Sequence, residues 1–172
     1  MPTPAYLSIT GTTQGLITEG ASAADSIGGT GLSDHNDQSM ILAFTHEIIV
    51  PYNPHSGDNT GPHINKAVCI TKVFDKASPL LSNALAKGEL LQEVKIEWYR
   101  TAGTGKQERY YTTTLTDAKI VGIKDYMPNC QDPANAHFTH LQDVHFSYAK
   151  IVWSHTEANT TGSYNWSAQE QD

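Results

Sequence analysis

The chain has 172 residues, 38% of them hydrophobic and only 17% charged, with a formal net charge of −7. That length fits one domain with a real core, and an acidic balance without a Lys/Arg stripe excludes a phosphate-neutralising surface for nucleic acid. No apolar run reaches the roughly 20 residues that cross a bilayer, and Met1-Pro2-Thr3-Pro4-Ala5 has neither basic region nor apolar stretch, so neither membrane insertion nor a secretory signal is expected. Cys69 and Cys130 are too few for a disulfide framework, and Cys69, inside an apolar strand, reads as a small buried hydrophobe.

In chain order, residues 5–10 read as a first strand, stopped by Gly11 and Gly15. Residues 16–37 are glycine-jointed and weakly periodic, an extended connection with a short strand near 16–18. Met40, Leu42, Phe44, His46, Ile48 and Val50 then share one face of a strand over 40–50, with Ile41, Ala43 and Ile49 on the other. A strand apolar on both faces is buried on both sides, within its own domain or against a neighbour. Residues 51–65 carry Pro51, Pro54 and Pro62 among polar side chains, a loop that cannot pack a core and must project. Residues 66–74 form another strand with both faces largely apolar.

Ser78 as N-cap, Pro79 at the first helical position and Gly88 as left-handed stop predict a helix over 79–87. It is too short to hold alone in water, so its Leu81, Ala84 and Leu85 stripe must dock. Val94, Ile96 and Trp98 alternate with Lys95, Glu97 and Tyr99 as a strand with one face in a core. Ala102-Gly103-Thr104-Gly105 turns the chain, residues 107–114 return as its partner, and 115–126 alternate as a further strand. Val144, Phe146 and Tyr148 begin the last strong strand, yet Ile151 and Trp153 fall on the opposite parity. That slip predicts a bulge near Ala149 or a strand buried on both faces. From Thr156 the chain turns polar. One helix among many strands predicts a mainly β protein, a barrel or tightly packed two-sheet barrel with the helix over an open end or flank. More apolar strand faces than one small barrel hides point to an oligomer.

The chemistry is sparse. Cys130, His137, His140 and His145 form a Cys-x6-His-x2-His-x4-His series, but structural zinc uses tighter paired spacings, and exposed loop and strand histidines are the plainer reading. His46, on an apolar face, reads as a satisfied core or interface histidine. Gly103-Thr104-Gly105-Lys106 lacks the spacing and following helix of a phosphate loop. Asp34-His35-Asn36-Asp37 lacks the glycine and distal glutamate of a calcium loop. No nucleophile elbow occurs, and no Ser, His and Asp spacing nominates a triad. Neither a catalytic residue nor a metal or cofactor site emerges. Two other classes stay open. A carbohydrate-binding β-sandwich would need Trp98, Tyr99 or Tyr111 exposed together as a sugar platform, and a small metal-dependent barrel enzyme would use His137, His140 and His145.

The runs Phe74-Asp75-Lys76-Ala77-Ser78-Pro79-Leu80-Leu81, Gly88-Glu89-Leu90-Leu91, Lys95-Ile96-Glu97-Trp98-Tyr99-Arg100 and Tyr148-Ala149-Lys150-Ile151-Val152-Trp153 stand between an opening Pro4-Ala5-Tyr6-Leu7-Ser8-Ile9 and a late Tyr164-Asn165-Trp166. In order and spacing they resemble the haemolysin-coregulated protein (Hcp) family, tube-forming proteins of bacterial type VI secretion. The resemblance implies a single tube-forming β-barrel domain over 1–172, similar to phage tail tubes, that assembles as a homohexamer. Rings would stack on one another into a hollow tube, driven out by a contractile sheath behind a spike (VgrG-type) protein, with small effectors in the lumen. The subunit would be assembled in the cytoplasm and exported without a signal peptide. Its role would be structural, without a cofactor, and the chain stops at Asp172 with no room for a fused toxin domain. The loop at 51–65 stands where the family's extended loop reaches the next ring, although its wording departs from the glycine-rich version of some members. Tyr52, Asn53, Pro54, His55, Asp58, Asn59 and Pro62 are therefore the candidate ring-stacking residues. The doubly apolar strands make Met40, Leu42, Phe44, Val68 and Ile70 candidates for lateral packing.

Overall fold

The computed structural model describes residues 3–166. Its elements run β1 (Ala5–Gly11), β2 (Gly15–Leu16), α1 (Ala24–Ile27), β3 (Ser39–Thr45), β4 (Ile48–Ile49), β5 (Ile64–Asn65), β6 (Val68–Val73), α2 (Ser78–Lys87), β7 (Leu91–Thr101), β8 (Gln107–Tyr126), β9 (Leu141–Ser147), β10 (Lys150–His155) and β11 (Thr160–Asn165). Alternation puts Leu7 and Ile9, Val94 and Ile96, Val68 and Ile70, and Val144 and Phe146 in one core, all without exposed area. Each buried side chain of this size contributes about 1.5–3 kcal/mol.

Antiparallel pairing runs β8–β7–β1–β3–β6–β9, and β9 pairs back onto β8, closing a barrel. Closure satisfies the backbone groups that a sheet edge would leave open. The twenty residues of β8 make this possible. One of its edges pairs with β7, while the other pairs with β10 over Tyr111 to Thr116 and then with β9 over Lys119 to Tyr126. β9 and β10 are therefore one path along β8, interrupted at Tyr148 and Ala149, opposite Asp117 with its φ of 50°. The predicted slip near Ala149 is this corner. Past it β10 leaves the barrel and carries β11 as an outer strand.

Several expectations need correction. Residues 107–126 are a single strand, because nothing between Thr114 and Leu115 breaks the pairing with β7. The strand expected over 40–50 is divided at His46 and Glu47, with a register shift between Ile41 and Ala43. The connection over 16–37 is folded rather than extended. Its turns bury Ile17, Thr18, Ala21 and His35, and His35 stacks on Tyr6 at 3.7 Å between ring centroids. The polar stretch after Thr156 supplies β11, although its last residues, 167–172, lie outside the described residues.

Ser78 lies inside α2 and is not its cap. The Asp75 Oδ1 accepts from the Ala77 N–H at 2.9 Å, while the Asp75 N–H donates to the Ser78 Oγ at 3.1 Å. Both groups are held by Lys72, a strand residue with no exposed area, whose Nζ donates to Asp75 Oδ1 (2.8 Å), Ser78 Oγ (2.9 Å) and the Val73 carbonyl (2.9 Å). Ser39 on β3 donates to Asp75 Oδ2 at 2.7 Å. A buried ion pair thus ties the start of α2 to β6 and β3. Leu81 and Ala84 are buried and Leu85 packs on the core, as the stripe requires. Gly88 stops the helix at φ 64°, with the Glu89 N–H returning to the Ala84 carbonyl at 2.9 Å.

Candidate assembly surface

Residues 48–65 leave the barrel as an arm. β4 pairs with β5, and a bridge between Tyr52 and Asn59 continues the ladder outward. At its tip Asn53 folds the chain. Its N–H donates to the Asp58 carbonyl (2.8 Å), its carbonyl accepts from Gly57 (2.7 Å) and its Oδ1 accepts from the His55 N–H (2.9 Å). Gly57 sits at φ 78°, a conformation that favours glycine. The expected loop is therefore a braced hairpin, and Tyr52, Asn53, Pro54, His55, Asp58, Asn59 and Pro62 are all exposed on it. Ile48, Val50, Tyr52 and Ile64 are exposed there as well.

The root of the arm is fastened to the barrel. Lys66 pairs with Glu47 at 3.0 Å, the His63 ring meets Tyr164 edge-on at 4.4 Å, and His46 Nε2 lies 2.8 Å from the Tyr148 hydroxyl. Burial lowers the pKa of His46. Burial, with the nearby Tyr164, pushes Tyr148 up to about 12. His46 is thus a satisfied half-buried histidine, as expected.

A second surface lies on the barrel wall. Leu42 is 48% exposed, Phe74 43% and Phe138 53%. With Ile27, Met40 and Val73 they line an apolar groove of about 320 Å³. A hollow of about 370 Å³ beside Ala5, Ile41, Phe44 and Trp98 shares Leu42. Met40, Leu42 and Phe44 are available to a neighbour, but Val68 and Ile70 are not. Both point into their own barrel with no exposed area, because β6 alternates rather than being apolar on both faces. Cys69, between them, faces outward and is half-buried, not a core residue. Phe74 and Phe138 were missed. The signal was available for Phe138, a large apolar side chain within an otherwise polar loop.

The open face of β1 and β7 is polar. Glu97 accepts from Arg109 Nη1 (2.6 Å), Gln38 Nε2 (2.7 Å) and the Tyr99 hydroxyl (3.2 Å), with Lys95 Nζ at 3.3 Å. Burial alone would raise its pKa, yet the bonds from Gln38, Arg109 and Lys95 hold it down at about 2. Burial first, then the Glu97 charge, pushes Tyr99 up to about 12. This cluster clamps the 16–38 segment over the barrel.

The aromatics of the sugar-platform reading are close together, with Trp98 the cross-strand partner of Tyr111, but each is half-buried against a different neighbour rather than exposed as a platform. Trp98 packs edge-on against Phe44 at 4.8 Å, Tyr99 points into the Glu97 cluster, and Tyr111 lies beside Tyr110 and His155. His137 neighbours Phe138, His140 neighbours Phe74 and His145 lies against Cys69. Among the described residues no three His, Cys, Asp or Glu side chains are grouped so that they could hold a metal ion.

The family model described as "Type VI secretion system effector, Hcp" matches residues 6–155. The "Major exported protein" of Pseudomonas aeruginosa PAO1 is 61% identical over 166 residues, 96% of either chain. Among solved structures, "Crystal structure of Hcp protein" superposes with a TM-score of 0.91 at 44% identity, covering 95% of this chain and 97% of the other. "Secreted protein Hcp3 from Pseudomonas aeruginosa" gives 0.81 at 54% identity, with the same coverage. A barrel closed through one long strand and flanked by one docked helix, with this sequence similarity across its length, belongs to the Hcp family of type VI secretion proteins.

Proposed function

We propose that this chain is the structural subunit of a type VI secretion tube: protomers close into six-membered rings, and rings stack into a hollow conduit. A contractile sheath drives that conduit from the cell behind a VgrG-type spike, with small effectors held in the lumen. The observation that carries this reading is a protomer with two unlike apolar surfaces, the arm with Ile48, Val50, Tyr52 and Ile64 and the wall around Leu42, Phe74 and Phe138. Two unlike surfaces allow two different contacts, one that closes protomers into a ring and one that joins ring to ring. Met40, Leu42 and Phe44 serve lateral contacts within the ring. The arm serves stacking, since it adds nothing to its own core and its internal bonds reduce the entropy lost on docking.

Light scattering and negative-stain electron microscopy of the purified protein test this. The wild type should give hexameric rings that stack. Replacing Asn53 to Pro62 by a short Gly-Ser bridge should keep the rings and abolish stacking and export, whereas Leu42→Asp should yield monomers with an unchanged fold. A monomeric wild type at micromolar concentration refutes the ring. Unchanged export from the shortened arm refutes its assignment to stacking.

A further inference from the structure

We propose that the recess between the first turn of α2 and the paired ends of β8 and β9 receives the guanidinium group of an arginine side chain carried by a partner protein. Strand pairing sets Lys72 of β6, Gln142 of β9 and Asp125 of β8 side by side in one row across the sheet. Gln142, only 1% exposed, donates from Nε2 to Asp125 Oδ1 at 2.8 Å, which fixes the way its amide faces. Its Oε1 is then buried without a donor among the described residues. Lys72 does not serve it, because the three N–H donors of that ammonium are engaged by Asp75, Ser78 and the Val73 carbonyl. A buried acceptor left unpaired is costly, so the site calls for a donor from outside.

The recess encloses about 290 Å³, and Phe74, Pro79, Asp125 and Gln142 are among its lining residues. That is small for a whole ligand and suits the end of one side chain. Lys72 offsets one of the two carboxylates, Asp75 and Asp125, so one negative charge is left over. An anion is disfavoured, since the positive end of α2 is already answered by Asp75, which accepts from the Ala77 N–H, and Asp125 would repel it. A guanidinium matches the remaining groups. Its planar fork donates to Asp125 and to Gln142 Oε1 together, and its face lies on the exposed Phe74 ring. Phe74 lines this recess and the apolar wall groove alike, so a chain seated on the wall is placed to reach in. The protein source therefore rests on the wall being an assembly surface, whereas the guanidinium preference does not.

Saturation-transfer NMR tests this on the full chain, as wild type and as Leu42→Asp, in which the wall is free of neighbours. The probe is acetyl-Gly-Arg-Gly-amide, whose arginine methylenes should take up saturation in a saturable way. The uncharged isostere with citrulline in place of arginine should bind at least about tenfold more weakly, as should the arginine probe to Asp125→Asn. Gln142→Met, which keeps the bulk and removes the orphan oxygen, should weaken binding several-fold. Glu157→Gln, in the β10–β11 turn, should leave it unchanged. Should Gln142→Met fail to fold, as judged by circular dichroism, Asp125→Asn against Glu157→Gln decides. No saturable binding to either form, equal binding of the citrulline peptide or unchanged affinity in Asp125→Asn overturns the proposal. A clear preference for agmatine, a free small guanidinium, over the peptide overturns the protein source. A monomeric wild type that still binds the probe would refute the ring and keep the site.

Discussion

Replacing Asp75 by alanine should be among the most damaging single changes in the protein. Lys72 and Asp75 side chains are 0% and 2% exposed, and their 2.8 Å contact sits where α2 meets β6. Burial pulls the Lys72 ammonium below its ordinary pKa, and the Asp75 carboxylate opposes that. Without the carboxylate, Lys72 Nζ keeps as hydrogen-bond acceptors only the neutral Ser78 Oγ and Val73 carbonyl, with the Asp125 charge as its remaining counter-charge, while Ser39 Oγ and the Ala77 N–H lose their acceptor. Removing one partner of a buried pair costs about 3–5 kcal/mol, against a total stability of about 5–15 kcal/mol for a domain. At this chain length that lowers Tm by about 6–20 °C. Urea unfolding followed by tryptophan fluorescence measures it, at a fixed protomer concentration because association adds stability by mass action. The midpoint should fall with an unchanged m-value. Lys72→Met/Asp75→Leu, with no charge left to bury, should recover much of the loss. An Asp75→Ala variant within about 1 kcal/mol of wild type, or a double variant no better than the single one, refutes the buried pair as the anchor of α2.

Along the same helix, Ser78→Ala should cost about 1 kcal/mol through its lost bonds to Lys72 and Asp75. Leu81→Asp should cost several kcal/mol and exceed Leu85→Asp, because Leu81 is fully buried and Leu85 only partly. Thermal melts that reverse this order would show a different docking. Glu97 has a folded pKa of about 2, below its ordinary value of 4.5, so its contribution is complete above about pH 4.5 and is lost as the pH falls through that window. Acid titration of stability should accordingly be steeper between pH 4.5 and 2 in wild type than in Glu97→Gln, and equal slopes would exclude the cluster. Gly31→Ala drives a Cβ into the Ser22 carbonyl oxygen. The displaced 16–38 segment should cost about 1–3 kcal/mol by denaturant titration, and a neutral result would show that the segment shifts freely.

Much of this molecule is written locally. Two-residue alternation marked β7 and β9, Gly11 and Gly15 bounded β1, the glycines at 103 and 105 marked the β7–β8 turn, and Gly88 marked the end of α2, because each depends on the backbone preferences of a few adjacent residues. The parity change between Tyr148 and Ile151 even announced the corner where β9 gives way to β10. Partners were not legible, since a strand's sequence states its period and not its neighbours. Apolar residues at Val68 and Ile70 looked available to another subunit until pairing with β3 and β9 turned them inward. Lys72, a charge on a strand, gave no sign of being fully buried, because its burial rests on Asp75, Ser78 and Ser39 meeting it from two other elements. Cys69 and His145, 76 residues apart, became neighbours only through the register of β6 on β9. The sequence by itself determined where β7, β9 and α2 run and that the strands carry a surplus of apolar side chains. Tertiary structure alone decided which face each strand shows, because register and closure are set by contacts between residues far apart in the chain.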